Sequence, residues 1–208
     1  KNKFGEKIID FKENNLHLMS YSEPVSLSLN KEELLKKIHT LPEHPNWIPY
    51  RTSYYKKDWG FCCKHKLISS EKFVGPFQVV IDSELDENGH LHWLECVKTG
   101  KSNKEILIST YCCHPSLAND NLSGIVASVE LFKYLLTIDT KYSYRLVIAP
   151  ETIGVISFLN QTNISNILGG MILSCVAGPD EFSFKEGFDQ NHWINRAAIL
   201  ALKEKTKG

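Results

Sequence analysis

Three residues of this sequence have the types and spacing to do chemistry together. His114 and Asp120 lie in CHPSLANDNLSG, residues 113–124, and Glu151 lies in APETIG, residues 149–154. A neutral imidazole and carboxylates are good ligands for Zn²⁺. One carboxylate can bridge two metal ions roughly 3.5–4 Å apart. Another can take a proton from metal-bound water. Metal binding lowers the pKa of that water to about 7, so hydroxide becomes available at neutral pH. The trio therefore suits metal-assisted hydrolysis.

Regular elements must position these residues. EILISTY (105–111) is a continuous apolar strand pattern, and YRLVIAP (144–150) is a second. Between them, Ile125, Val126, Val129, Phe132, Leu135 and Leu136 recur at helical spacing within residues 123–136. IGVISFLN (153–160) predicts a short helix, GGMILSCV (169–176) a third strand, and NHWINRAAILALKEKTKG (191–208) one more helix. Buried strands alternating with helices predict a parallel sheet covered on both faces, with right-handed crossovers. Ligands of such sheets bind beyond the carboxyl ends of the strands. His114 follows the first strand, Asp120 precedes the helix after it, and Glu151 follows the second strand.

Each residue also has a structural reading. His114 precedes Pro115, which favours extended backbone, and its ring can be satisfied at a strand end. Asp120 suits a helix start through the dipole, and Asn121 suits a cap. Glu151 follows Pro150 and opens a helix. Gly124 lets the helix approach the sheet closely. Other chemistries are weaker. Cys113 and His114 are neighbours, and extended neighbours point to opposite faces, which argues against a thiolate–imidazole pair. The sequence has no G-x-S-x-G elbow and no glycine-rich phosphate loop. His90 and His92 alternate beside Glu95, a pattern common for exposed strand histidines.

The first half is richer in aromatics and turn residues. KEELLKKIHT (31–40) predicts a helix with Asn30 as its N-cap. Phe77–Ile81 and HLHWLECV (90–97) predict strands, the latter after an Asn88-Gly89 turn. Trp47, Tyr54, Tyr55 and Trp59 either fill the core of this small module or line a cleft. Lys plus Arg total 24 and Asp plus Glu total 24, so nothing global attracts nucleic acid or an anionic membrane. No stretch has the length and apolarity to span a bilayer, and KNKFGEKIIDF has no secretory pattern. The six cysteines include the adjacent pairs Cys62-Cys63 and Cys112-Cys113. They read as reduced, mostly buried thiols of a cytoplasmic protein.

CHPSLANDNLSG and PETIG, with GEKIIDFKENNLHLMSYSEPV, LPEHPNWIPYRTSYYKKDWGFC, YRLVIAP and HWINRAAILALKE, resemble an aminopeptidase-like domain family that carries a small inserted domain. That family is similar to co-catalytic zinc aminopeptidases of the leucyl aminopeptidase and transferrin-receptor type. The resemblance implies an α/β fold. Its core is a partial phosphorylase/hydrolase-like one with a mixed or parallel sheet, formed by residues 1–21 and 101–208. Residues 22–100 form a small, mostly-β inserted module. It implies that His114 is the first zinc-binding histidine, Asp120 the bridging aspartate and Glu151 the general base. The implied cofactor is zinc, one ion or two. The implied reaction removes an N-terminal residue from a small peptide or hydrolyses a related amide. Nucleic-acid and membrane partners are not expected, whereas an unpaired sheet edge invites homo-oligomer formation.

The chain departs from the zinc-peptidase pattern in two places. Thr152 replaces the second glutamate of the pair, and Cys175 falls where a ligand aspartate is common. The family also carries helices before GEKIIDF, and G-S-D-E and H-T-S-x-D segments after HWINRAAILALKE. The sequence thus reads as a piece of a longer protein. The departures keep an alternative in view: a non-catalytic binding module, or an inactive relative, that recognises an amino-sugar, peptide or glycan-related ligand.

Overall fold

The computed structural model describes the chain except Ser116, Asp180, residues 206–208 and the side chains of residues 204 and 205. It divides into two compact units, Lys1–Gly89 and a second that starts at His90.

In the first unit, β1 (Val25–Leu29) pairs antiparallel with β4 (Phe77–Ile81). Alternation along β4 buries Phe77, Val79 and Ile81 and exposes Gln78 and Val80. Leu34, Phe73, Phe77 and Val79 form the core, with Trp59 and Phe61 packed against it. Helix α1 (Lys31–Leu35) starts with the expected Asn30 cap, in a capping box with Glu33. It stops five residues short of the predicted end. Ile38 and His39 instead form β2, parallel to Phe61 and Cys62 of β3. Strand pairing overrides helical propensity there. A short helix α2 (His65–Ile68) follows. Residues 1–21 fold as part of this unit: the Lys3 N–H donates to Val74 O at 3.1 Å, and the Gln78 N–H to Lys1 O at 2.9 Å. Of the four aromatics that could fill the core, only Trp59 does so. Trp47 is 61% and Tyr55 95% exposed.

Asp58 links several segments of this unit. It accepts from Lys37 Nζ at 2.5 Å and from the Trp59 N–H at 2.9 Å, and Lys56 Nζ lies 3.1 Å away. Lys37, then the Trp59 amide, then Lys56 hold its carboxyl well below the usual carboxylate range. A depressed folded pKa gives stability that is present above the ordinary value of about 3.9 and is lost as pH falls below it. Asp58→Asn is therefore expected to flatten the acid limb of thermal stability below about pH 4. Identical slopes in the two proteins, read by circular dichroism melts, would contradict this.

The second unit carries a four-stranded sheet in the order β5-β7-β6-β8. β6 (Ser102–Tyr111), β7 (Tyr142–Ala149) and β8 (Ile167–Ile172) run parallel, and β5 (Leu94–Lys98) is an antiparallel edge strand. Because β5 pairs with β7, the unit begins near residue 90 and not at the expected residue 101. α3 (Gly124–Leu136) covers one face, where Phe132 and Leu135 pack on Ile108, Leu146 and Ile148. α4 (Ile153–Gln161) covers the other through Phe158, against Val147, Ala149 and Leu107. Each fully buried side chain of this kind contributes roughly 1.5–3 kcal/mol. The two-faced cover explains why the last four residues of β7, Leu146 to Ala149, read as an unbroken apolar run. α5 (Trp193–Lys205) closes the described chain. No helix among the described residues is long and apolar enough to cross a membrane.

The cysteines differ from expectation. All six are unbridged, but only Cys62 and Cys63 are buried, while Cys96, Cys112, Cys113 and Cys175 are exposed. Cys96 lies on the edge strand, and the other three follow strand ends, where the sheet stops covering them. Burial pushes the Cys62 thiol up to about 11 and that of Cys63 up to about 12.

Candidate functional site

The parallel strands β6, β7 and β8 end at Tyr111, Ala149 and Ile172, so the segments that follow them leave from one edge of the sheet. His114, Glu151 and Cys175 lie on those segments. A cavity of about 640 Å³ opens beside the first of them, lined by Tyr111, Cys113, His114, Leu117, Asn121 and Ile125.

The motif between β6 and α3 is not a simple helix start. Residues Ala118–Ser123 form a π-helical turn with non-helical backbone at Asp120 and Asn121, which are joined by a cis peptide. Asn121 is buried and does not cap the helix. Its amide donates to Thr110 Oγ1 at 2.8 Å and to Tyr111 O at 3.1 Å, and its Oδ1 accepts the Cys175 N–H at 3.0 Å. Ser123 Oγ accepts the Val176 N–H at 3.1 Å, and Asn119 Oδ1 accepts the Ala177 N–H at 3.0 Å. The polar residues of the motif thus tie the end of β6 to the segment after β8. Gly124 has the close approach expected of it: a Cβ there would lie 2.5 Å from Leu173 O and would also collide with Asn121 Oδ1. Overpacking of this kind costs about 1–3 kcal/mol. Gly124→Ala is expected to lower the melting temperature accordingly, and an unchanged melt would show that the helix shifts freely.

Two clusters of reactive groups result. In the first, Cys113 Sγ lies 2.8 Å from His114 Nδ1 and 3.9 Å from Glu151 Oε2. One donor atom from each residue falls within 4.8 Å of the others. The expectation that Cys113 and His114 diverge is corrected here. β6 ends at Tyr111, so the strand alternation no longer governs residues 113 and 114. Burial, then the charges of Glu151 and Asp120, push the Cys113 thiol up, while a Glu151 hydrogen bond works against them. This environment keeps Cys113 a neutral thiol and not an activated nucleophile. An imidazole and a carboxylate this close are donor types that fit a divalent cation.

Asp120 lies outside that group of three. Its Oδ1 accepts the Tyr111 hydroxyl at 2.7 Å, in a second cluster in which the same hydroxyl is 2.8 Å from Ser174 Oγ and 4.0 Å from Cys175 Sγ. Burial, together with the neighbouring Asp120 carboxylate, pushes the Tyr111 phenol up. It stays protonated, as a donor to Asp120 must. Tyr111 was legible only as a strand residue. Cys175 is not a buried strand thiol: β8 ends at Ile172, and Cys175 is exposed with φ of +53°. Thr152 also has a positive φ, +61°, directly after Glu151. Such backbone costs on the order of 1–3 kcal/mol and is concentrated at functional sites. His90 and His92 precede β5 with rings 6.2 Å apart, and Glu95 pairs with Arg145.

Comparison with known proteins extends the picture. The family described as "Domain of unknown function (DUF4910)" matches residues 4–208. A Clostridium acetobutylicum protein named "Putative polysaccharide biosynthesis protein with aminopeptidase-like domain" is 47% identical over 178 residues, which are 85% of this chain and 41% of that protein. A crystal structure described as a "putative peptidase" from Clostridium acetobutylicum matches with a TM-score of 0.82 and 46% identity, over 86% of this chain and 42% of that one. The chain spans about two fifths of the length of the relatives it matches. With nearly its whole length matched, the chain belongs to the DUF4910 family.

Proposed function

We propose that this chain carries part of the site of a metal-dependent, aminopeptidase-like hydrolase that acts on a small peptide or related amide. The observation that supports it most is the convergence of His114 and Glu151, with donor atoms within 4.8 Å, at the carboxyl edge of a parallel sheet. The names of the two relatives point the same way. When bound, zinc would supply Lewis acidity and a water of lowered pKa. His114 and Asp120 are the proposed ligands. Tyr111 orients Asp120 by donating to one carboxylate oxygen, which leaves the other to bind. Glu151 accepts the proton of the attacking water and returns it to the leaving amine. Asn121 holds the loop that carries Asp120 against the end of β6.

The test is metal content of the purified protein and of His114→Ala, with hydrolysis of aminoacyl anilides by the zinc-loaded form. Near-stoichiometric zinc, lost in the variant, together with turnover is the expected result. No metal in either protein after zinc is added would overturn the proposal. A second reading, non-catalytic binding, draws support from Thr152, which cannot replace a ligand carboxylate. Metal or peptide binding without any turnover would favour it.

A further inference from the structure

We infer that Cys113 is itself a metal ligand, so that the site takes a thiophilic divalent ion such as Zn²⁺ through a thiolate–imidazole pair. This rests on the metal-binding reading above and goes beyond it, since that reading assigns His114, Asp120 and Glu151 and gives the thiol no role.

Geometry carries the inference. Among the described residues one group of three donor types comes together, and its members are Cys113, His114 and Glu151; Asp120 is not among them. Cys113 Sγ is central to the group, 2.8 Å from His114 Nδ1 and 3.9 Å from Glu151 Oε2. The three residues come from two segments, the β6–α3 connection and the turn after β7, which parallel pairing of β6 and β7 brings to one edge. The thiol is exposed, and both Cys113 and His114 line the cavity of about 640 Å³, so an ion has a path to them. On binding, the Sγ–H proton passes to buffer and a sulfur lone pair forms the bond to the ion, with no change of oxidation state.

The donor set also selects the ion. Thiolate and imidazole suit Zn²⁺, Co²⁺ and related metals, whereas Mg²⁺ and Ca²⁺ prefer oxygen. Cys113 therefore separates this site from one built of a histidine and carboxylates alone, which would accept Mn²⁺ more readily.

The probe is Co²⁺, titrated into the reduced protein without oxygen and followed by absorption. A thiolate ligand gives an intense sulfur-to-cobalt charge-transfer band in the near ultraviolet, which oxygen and nitrogen ligands do not. The wild type is expected to show it at one equivalent, and excess Mg²⁺ is expected to leave it unchanged. Cys113→Ser should abolish the band and weaken Co²⁺ binding by at least about 100-fold, more than the 10–100-fold typical of outer-shell partners. Cys112→Ser and Cys175→Ser should keep it. Far-ultraviolet circular dichroism checks that each variant is folded, and the wild-type band needs no variant at all. Bound Co²⁺ without the band would overturn this inference and leave the hydrolase proposal standing. A band that survives Cys113→Ser and vanishes in a neighbouring variant would overturn it too. No Co²⁺ bound at all would overturn both.

Discussion

Glu151→Gln is expected to lower turnover of an aminoacyl anilide by about 10²–10⁴-fold, the usual contribution of a positioned acid–base group. The substitution keeps shape and hydrogen bonding and removes only the ability to accept a proton. Glu151 is an exposed residue in a turn, with its Oε2 3.9 Å from Cys113 Sγ. An ordinary surface replacement there would change stability by no more than about 0.5 kcal/mol. The melting temperature should therefore stay in place while kcat falls. KM should move little, because the lost interaction belongs to the transition state. Metal content separates two roles for the same carboxylate. Retained metal with lost turnover marks Glu151 as the base. Loss of both together marks it as a ligand, and full activity in the variant sinks either role.

The framework around Glu151 is legible in the sequence, and the reasons are physical. β6, β7 and α3 carry long runs in which period and burial agree: Ile106, Ile108, Leu146, Val147 and Ile148 are all buried, as are Phe132 and Leu135. Two-sided cover forces continuous apolar sequence, so the strands announce themselves. The predicted helix at residues 31–40 failed at its second half for the opposite reason. Its strand partner Phe61–Cys62 lies more than twenty residues away, and local propensity carries no trace of such pairing. β8 was placed a few residues late because Leu173, Cys175 and Val176, beyond its end at Ile172, continue its apolar composition.

The site was readable in composition but not in geometry. His114 and Glu151 were expected together, and they are. Asp120 was expected beside His114 as a shared ligand; it lies outside the group of three, and one of its oxygens takes a hydrogen bond from Tyr111. The residue missed entirely as a partner is Cys113. Alternation along a strand argued against it, but alternation holds only while the strand lasts, and Pro115 two residues on, which has no N–H to give to a strand ladder, is the signal that pairing stops. Asn121 looked like a helix cap because its side chain suits one, and Asn119 and Ser123 lie beside it in the same motif. In the structure the side-chain oxygens of these three residues accept from the backbone N–H groups of residues 175–177, fifty and more residues away in sequence.

Arg145→Met is expected to destabilise the second unit by about 3–4 kcal/mol, toward the lower end of the cost of breaking a buried ion pair. That corresponds to a melting temperature lower by roughly 10 °C. Arg145 sits on β7, opposite Val97 of β5 and Leu107 of β6, and its side chain is 13% exposed. Its Nε and Nη2 donate to the two oxygens of Glu105 at 2.6 and 2.9 Å, and its Nη1 donates to Glu95 Oε1. One guanidinium thus spans three strands, with the planar fork that lysine cannot reproduce. Glu105, then Glu95, hold the guanidinium pKa further up against the effect of its burial. Methionine fills much of the volume but leaves two carboxylates, 13% and 30% exposed, facing no cation. Adding Glu95→Gln and Glu105→Gln to Arg145→Met should recover most of the loss at neutral pH, because no unpaired charge remains. If Arg145→Met melts like wild type at pH 7, the three-residue bridge contributes nothing, and β5 is held by backbone pairing with β7 alone.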